Sequence, residues 1–438
     1  MPINFSRRSF VKSAAALAAA SSLPAWFLES SAPAAQRESS ANDKPNVALI
    51  GCGGRGRGVA GNAAQHGEIV AYCDVDEARL GEGKKLWPKA TAFNDFRKLL
   101  ARKDIDLIVN GTPDHWHTLV NLAALKAGKD VYSEKPLTLT IDEGRRLVEA
   151  VKNSKRILQT GSQQRSDKNF RLACELVRNG RLGKLKQVNV WLPSGRREGP
   201  FETKPTPAGL NWDMWLGQTP VVDYVPERCH QTFRYWWEYS GGTMTDWGAH
   251  HLDIAQWGTG HDRSGPVSIE ARPLVTMIPS GFTAHSEYEV NYTYDDGVKL
   301  VCKSTTANNW SGGVVDKNGQ QHGIKFEGDG GWIFVSRGRI EASQPELLTT
   351  PLPASATRLY ASDNHMQNFF ECCKSREQPI CDAEIGHRSV SVCHLGVIAL
   401  RLGRKLHWDP AQEQFTSDPD ANNWLAREMR NAWSYQSV

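Results

Sequence analysis

The residues of this 438-residue chain best suited to chemistry are a lysine, an aspartate and a histidine. Lys135 precedes Pro136, while Asp246, His250 and Asp253 are spaced by four and then three residues. That spacing puts the last three on one face of a helix, where a carboxylate can orient an imidazole and stabilise its charged form. Because histidine is a natural general base near neutral pH, the pattern predicts proton transfer.

Two other interpretations of Asp246 and His250 stay open on the residues alone. The two could form a helix cap or a buried polar contact without chemistry. They could also bind a metal, since Asp and His both ligate zinc, but no H-E-x-x-H sequence or cysteine set accompanies them. We therefore predict no metal site.

Lys135 is positioned by the elements around it. A short apolar strand at Asp130–Tyr132 precedes it, and a helix is predicted over Ile141–Asn153. The carboxyl end of a parallel strand is where open α/β sheets bind ligands. Pro136 fixes its own φ and pushes Lys135 towards extended geometry, so we expect the lysine at a cleft.

Upstream of Lys135 lies a nucleotide-binding pattern. The apolar run 45–50 is a predicted strand, and it enters a G-x-G-x-x-G sequence followed by a helix at 59–66 and a second strand at 69–74. In such a loop the first glycine makes the tight turn, the second admits the pyrophosphate and the third lets helix pack on strand. The residues assigned to the cofactor here are Gly51, Cys52, Gly53, Arg55, Gly56 and Asp74.

Asp74 decides between two cofactors. It follows Gly56 by 18 residues, where an acid can accept from the adenosine ribose hydroxyls. Its charge would repel a 2′-phosphate, which favours NAD. Arg55 and Arg57 could favour that phosphate, so NADP stays possible.

The order of strands and helices predicts two α/β domains. Strand–helix alternation continues to a strand at 157–160, which is typical of a doubly wound parallel Rossmann sheet. After Gly161 the strands at 185–192, 266–277, 286–294, 298–305 and 323–326 follow one another without helical alternation, which indicates a mostly antiparallel sheet. We place the first domain at 45–165 and the second at 166–438.

The N-terminus has the features of an export signal. Paired arginines at 7 and 8 precede an Ala-rich apolar stretch and the small-residue sequence Ala32-Pro33-Ala34. This pattern predicts a twin-arginine leader over 1–35 and a linker over 36–44, with the mature protein periplasmic or otherwise exported.

Composition excludes several classes of protein. The formal net charge of +4, without a Lys/Arg run, is no nucleic-acid footprint, and no internal apolar stretch is long enough to span a bilayer. Nine cysteines without a Cys-x-x-Cys pair require no disulfide framework at this length. Seven tryptophans at 191–257 are expected mainly to pack cores, with one or two free to stack on sugar faces.

Four motifs together resemble the family of glucose–fructose oxidoreductase and inositol dehydrogenase (Gfo/Idh/MocA). They are the 51–56 loop, Thr112-Pro113 with His117, Glu134-Lys135-Pro136, and the glycine-led helix of Asp246, His250 and Asp253. The resemblance implies a Rossmann domain and a C-terminal α/β domain whose open sheet often mediates oligomers, so a homodimer or homotetramer is expected. It also adds Thr112, Pro113, His117 and Glu134 to the cofactor residues.

The resemblance implies roles as well. Lys135 would bind and polarise the reacting hydroxyl or ketone of a sugar, His250 would accept the proton, and Asp246 would orient His250 or contact substrate. Gln163, Arg165 and Arg234 would reach the same cleft. Glycoside-hydrolysing relatives carry histidine where Asp246 stands, so a dehydrogenase-type site is favoured. Sugar lyases and epimerases acting through a transient keto-sugar, and a non-catalytic carbohydrate-binding protein with structural NAD, stay open.

Overall fold

The computed structural model describes residues 23–29, 44–304, 306, 322–430 and 433–437. The predicted leader and linker therefore lie outside the described residues, except for 23–29 and Lys44. Residues Ala25–Glu29 form a short helix, α1, whose Phe27 is buried in the core of the second domain. No helix of the described residues is long and apolar enough to cross a membrane.

The first domain is a six-stranded parallel sheet flanked by helices, as predicted. Its strand order is β3-β2-β1-β4-β5-β6, with the reversal between β1 and β4 that creates a binding crevice. The strands are β1 Asn46–Ile50, β2 Glu68–Cys73, β3 Thr91–Phe93, β4 Leu107–Asn110, β5 Asp130–Ser133 and β6 Leu158–Thr160. The helices are α2 Gly54–Ala63, α3 Glu77–Leu86, α4 Phe96–Leu100, α5 Asp114–Lys126 and α6 Ile141–Ser154.

The second domain is built on a nine-stranded sheet in the order β13-β12-β11-β7-β10-β9-β8-β14-β15. All its pairings are antiparallel except that of β7 with β10. The strands are β7 Leu185–Leu192, β8 Ser268–Pro273, β9 Tyr288–Thr293, β10 Lys299–Ser304, β11 Gly323–Gly328, β12 Gly331–Ser336, β13 Arg339–Ala342, β14 Leu406–Asp409 and β15 Gln414–Phe415.

Some helices of the second domain pack on this sheet, and others lie against the first domain. They are α7 Lys168–Arg178, α8 Trp212–Leu216, α9 Thr243–Asp246, α10 Gly248–Thr259, α11 Glu346–Thr349, α12 His365–Ser375, α13 Ala383–Leu402 and α14 Pro419–Asn422. The long helix α13 is buried along most of its length and reaches both domains, since Ala383 and Val390 pack with the first and Val392 and Cys393 with the second.

The structure changes several predicted boundaries. The predicted helix at 59–66 begins earlier, at Gly54, because the glycine loop is itself the first turn of α2. The helix predicted across Asp246 and Asp253 is divided into α9 and α10 at Trp247. Helix α3 and strands β3, β12 and β13 are absent from the prediction because they are short or weakly patterned.

All nine cysteines are free and buried. Cys52 and Cys73 are 0% and 2% exposed, in agreement with the prediction that they are small packing residues.

Candidate active site

The glycine loop forms a backbone cradle at the start of α2. Gly51 has φ +91°, which a side chain rarely adopts, and a Cβ on Gly56 would lie 2.0 Å from the Gly51 carbonyl oxygen. A Cβ on Gly53 or Gly54 would meet nothing within 4 Å. The loop is therefore tight where it packs and open where it faces the cleft, which is the shape that a pyrophosphate needs at a helix N-terminus.

Asp74 follows β2 and lies beside this cradle. Its carboxylate accepts from the backbone N–H groups of Cys52, at 2.7 Å, and Asp76, at 3.0 Å. Burial raises the pKa of this carboxyl to about 6, although the backbone donors oppose that change. Asp74 thus fixes the glycine loop and still lines the cleft where a ribose would lie. The Cys52 thiol is buried and lies 3.4 Å from the Cys73 carbonyl oxygen.

Thr112, Pro113 and His117 lie on the opposite side of the crevice, after β4. The two ring nitrogens of His117 are 2.6 Å from the Pro136 carbonyl oxygen and 2.9 Å from that of Thr112. His117 therefore connects two loops of the cofactor crevice, including the one that carries Lys135.

Lys135 and Asp246 meet across the two domains. The Lys135 Nζ donates to the Asp246 Oδ1 in a short contact and to its backbone carbonyl at 2.9 Å. Arg234 Nε donates to the same Oδ1 at 3.3 Å. Burial alone would raise the pKa of Asp246, but Lys135 and Arg234 lower it to about 2, so the carboxylate stays ionised. An ammonium has three donors, and in the described part of the chain two of those of Lys135 are used.

His250 is 8% exposed and lines the same cleft. Its Nδ1 is buried without a hydrogen-bond partner among the described residues. In that part of the chain, Asp246 therefore makes no hydrogen bond to this nitrogen. Asp246 binds Lys135 and Arg234 instead, so the structure does not show the orienting role expected for it, and contact with substrate stays a prediction. Burial and then the charges of Lys135 and Arg337 hold the pKa of His250 well below 6.5, so the ring is neutral and can accept a proton.

This environment predicts an unusual pH profile. A general base with an ordinary histidine pKa loses activity as pH falls through about 6.5. Because the folded-state pKa of His250 is lowered, we expect kcat/KM to stay level between about pH 8 and pH 6 and to fall only at lower pH. Single-turnover rates across this range measure it, and a fall centred at the ordinary histidine value would contradict the assignment.

Glu134 and Gln163 line the same crevice as Lys135. Glu134 accepts from Arg55 at 2.8 Å and from Gln163 at 3.1 Å, and Gln163 also donates to the Tyr132 hydroxyl. The second Glu134 oxygen is buried without a hydrogen-bond partner in the described part of the chain. Glu134 itself lines the crevice, and its contact with the cofactor stays a prediction.

Arg165 does not line the cleft, although it was expected to reach it, and its partner Asp253 does not line the cleft either. Arg165 is 1% exposed and donates twice to Asp253, at 2.8 and 2.7 Å. Asp253 also accepts from Ser389 at 2.5 Å. Asp253 is carried by α10 to the side facing α13, while His250 faces the crevice. The pair is therefore a buried structural link.

The glycine loop, Asp74, Lys135, Asp246 and His250 line one crevice of about 1120 Å³. Residues 45–162 match the Gfo/Idh/MocA oxidoreductase family's NAD-binding Rossmann fold, and residues 189–435 match its C-terminal alpha/beta domain. The chain belongs to this family. The glycine cradle and Asp74 are accordingly parts of an NAD-binding Rossmann domain.

Curated relatives of this Gfo/Idh/MocA protein include inositol dehydrogenases. Myo-inositol 2-dehydrogenase of Thermotoga maritima is 28% identical over 218 residues, which are 49% of this chain and 55% of the relative. Inositol 2-dehydrogenase of Salmonella typhimurium is 33% identical over 124 residues, 28% of this chain and 37% of the relative. The chain thus spans about half, or less, of the length of these relatives.

Solved structures share the fold along most of the chain. The WlbA dehydrogenase from Bordetella pertussis, in complex with NADH and UDP-GlcNAcA, has a TM-score of 0.64 at 20% identity and covers 84% of this chain and 99% of its own. Aldose–aldose oxidoreductase from Caulobacter crescentus, complexed with glycerol, has a TM-score of 0.61 at 19% identity. The match covers 83% of this chain and 99% of that protein. At these identities the likeness concerns the fold.

Several cleft residues were not predicted from the sequence. Trp247 lies between Asp246 and His250, and Arg337, from the turn between β12 and β13, stacks 4.8 Å from its ring. Met214 and Trp215 reach the crevice from the second domain. Their position depends on contacts between distant segments, so no local pattern identifies them. Trp215 and Trp247 do belong to the tryptophan-rich stretch, of which one or two members were expected to stack on a sugar.

Proposed function

We propose that this protein is an exported NAD-dependent oxidoreductase that transfers hydride between NAD and the carbon bearing a secondary hydroxyl of a sugar or polyol. The observation that carries the proposal is that the Lys135 ammonium and the neutral His250 line the same crevice as the glycine loop and Asp74. The dehydrogenase relatives support the substrate class, and the paired arginines at 7 and 8 support export.

The side chains divide the chemistry between them. Bound NAD supplies the hydride acceptor. The third Lys135 N–H donates a hydrogen bond to the reacting oxygen and stabilises the negative charge that develops there. His250 takes the hydroxyl proton on its unburied ring nitrogen as the C–H hydride leaves, and returns it in the reverse direction. Asp246 holds Lys135 in place, and Arg234 in turn binds the Asp246 carboxylate.

We further propose that the cofactor is retained and recycled rather than released at each turnover. Outside the cytoplasm a pool of dissolved NAD is not dependable, and export of a folded protein allows loading beforehand. Two chemistries fit a retained cofactor: paired oxidation and reduction of two sugars, and transient oxidation that permits elimination or epimerisation. In both, Lys135 and His250 act in opposite directions in the two half-reactions. We also expect a homo-oligomer formed through the open second sheet.

The test is a single-turnover assay of purified, NAD-loaded protein with sugars, sugar acids and polyols. We expect the nicotinamide absorbance of NADH to rise with one class of substrate and to return to baseline over a complete cycle. The NADH dissociation rate should be slower than turnover.

The outcomes separate the possibilities. Activity that depends on added NAD, with release of NADH faster than turnover, would reject recycling and leave an ordinary dehydrogenase. Sugar binding without any change in the nicotinamide would indicate a carbohydrate-binding protein with structural NAD. Failure to bind either NAD or NADP would overturn the enzymatic proposal.

A further inference from the structure

Residues 209–240, named here the cofactor cap, fold into a small aromatic unit beside the crevice. They precede α9 in the second domain, yet they lie against the first domain. Their own core is a set of buried apolar side chains: Leu210, Trp215, Leu216, Tyr224, Val225, Cys229, Phe233, Trp236 and Tyr239, packed with Phe282. A segment with its own apolar core can open and close as one cooperative unit.

The cofactor cap is fastened to the loop that follows β2. The backbone N–H of Glu77 donates to the Gly209 carbonyl at 3.0 Å, and that of Asn211 donates to the Val75 carbonyl at 3.0 Å. The His230 Nε2 lies 3.3 Å from the Asp76 carboxylate. These contacts begin at the residue after Asp74, so the cap is fixed next to the place where the adenosine ribose is expected.

A second fastening holds the cap to the N-terminal turn of α5. The Trp215 carbonyl accepts from the Trp116 indole at 3.0 Å and lies 2.9 Å from the His115 Nε2. Ser240, at the far end of the cap, donates to the buried Asp114 carboxylate at 2.6 Å. The cap therefore bridges both loops that flank the nucleotide crevice.

The inner face of the cap completes an apolar slot in that crevice. Met214 packs in one buried cluster with Phe96 and Trp116 of the first domain, and all three line the crevice together with Val75. The slot adjoins Asp74. The adenine of NAD is a flat, weakly polar ring. With its ribose bound to Asp74, it would lie in this apolar slot.

We infer that the cofactor cap forms the outer wall of the adenine site and that NAD can leave only when the cap opens. The inference rests on the proposed function, because it supplies the structural basis for retention of NAD. It also assigns Met214, Trp215 and His230, from the second domain, to the nucleotide-binding site.

The outer side of the cap provides a way to test this without touching the crevice. Arg430, in the C-terminal tail, donates to the Asp213 carboxylate at 2.5 Å, to the Asp213 carbonyl at 2.6 Å and to the Gly217 carbonyl. Arg430 does not line the crevice. Removal of its guanidinium should loosen the cap while leaving the cofactor contacts and Lys135 unchanged.

The experiment measures NADH dissociation from the full-length protein by stopped-flow fluorescence, with excess NAD as the trap. We expect Arg430→Ala to speed release by at least about tenfold, the factor associated with loss of one charge-assisted hydrogen bond. His230→Ala, which removes the contact with Asp76, should also speed release. Arg404→Ala is the matched control, because Arg404 also binds aspartates, Asp418 and Asp420, but far from the cap.

The results distinguish this inference from the proposed function. Release from Arg430→Ala and His230→Ala at the wild-type rate would overturn the cap inference while NAD binding itself stands. Equal acceleration in Arg404→Ala would also overturn it, since the effect would then be general. Absence of NADH binding by the wild type would overturn both. If Arg430→Ala does not fold, the rate for Asp213→Ala decides, because that change removes the carboxylate that Arg430 binds on the outer side of the cap.

Discussion

Lys135→Met is expected to reduce single-turnover oxidation by about 10²–10⁴-fold while the protein still folds and binds NAD. The ammonium is the group that contacts Asp246 from the other domain and has a donor remaining for the reacting oxygen. Methionine keeps the length of the side chain but cannot donate. His250→Ala should cause a loss of the same order, because it removes the proton acceptor.

Two exposed residues serve as controls for these variants. Lys186, paired with Asp329 on the second sheet, and His407, on β14, lie outside the crevice. Lys186→Met and His407→Ala should turn over like the wild type. Near-normal activity of His250→Ala would require another base, and near-normal activity of Lys135→Met would remove the lysine from the mechanism.

Arg165→Met is expected to lower the free energy of unfolding by about 3–5 kcal/mol, the cost of leaving a buried carboxylate without its partner. Asp253 is 0% exposed and receives two donors from Arg165 and one from Ser389. A second change, Asp253→Leu in the same chain, should recover part of the loss, because no buried charge then remains unpaired. Urea-induced unfolding of the purified variants measures both effects.

The comparison variant is Arg272→Met. Arg272 pairs with Glu289 in an exposed ion pair, for which a change of about 0–1 kcal/mol is expected. If Arg165→Met matched the wild type in its urea midpoint but lost sugar binding, Arg165 would be a substrate residue and the structural assignment would be wrong.

The sequence alone determined the architecture and much of the cofactor site. Alternating strands and helices with a glycine loop predict a Rossmann sheet. Parallel strands need crossover connections, and the helices in those connections cover the faces of the sheet. Gly51, Gly56 and Asp74 were identifiable because their task is local: a positive φ, a close backbone approach and an acid at the end of the next strand. Lys135 was identifiable from the Pro136 beside it and the strand before it.

The tertiary structure decided which side chains meet. Helical spacing placed Asp246, His250 and Asp253 on one face, but spacing does not include the neighbours that compete for each carboxylate. Asp246 binds Lys135, 111 residues away in sequence, and Asp253 binds Arg165, 88 residues away. The same holds for the cofactor cap, whose contacts with Asp76 and Asp114 arise only when the two domains pack. A charge buried in a protein is stabilised by whichever opposite charge the fold brings to it, and no local pattern records that choice.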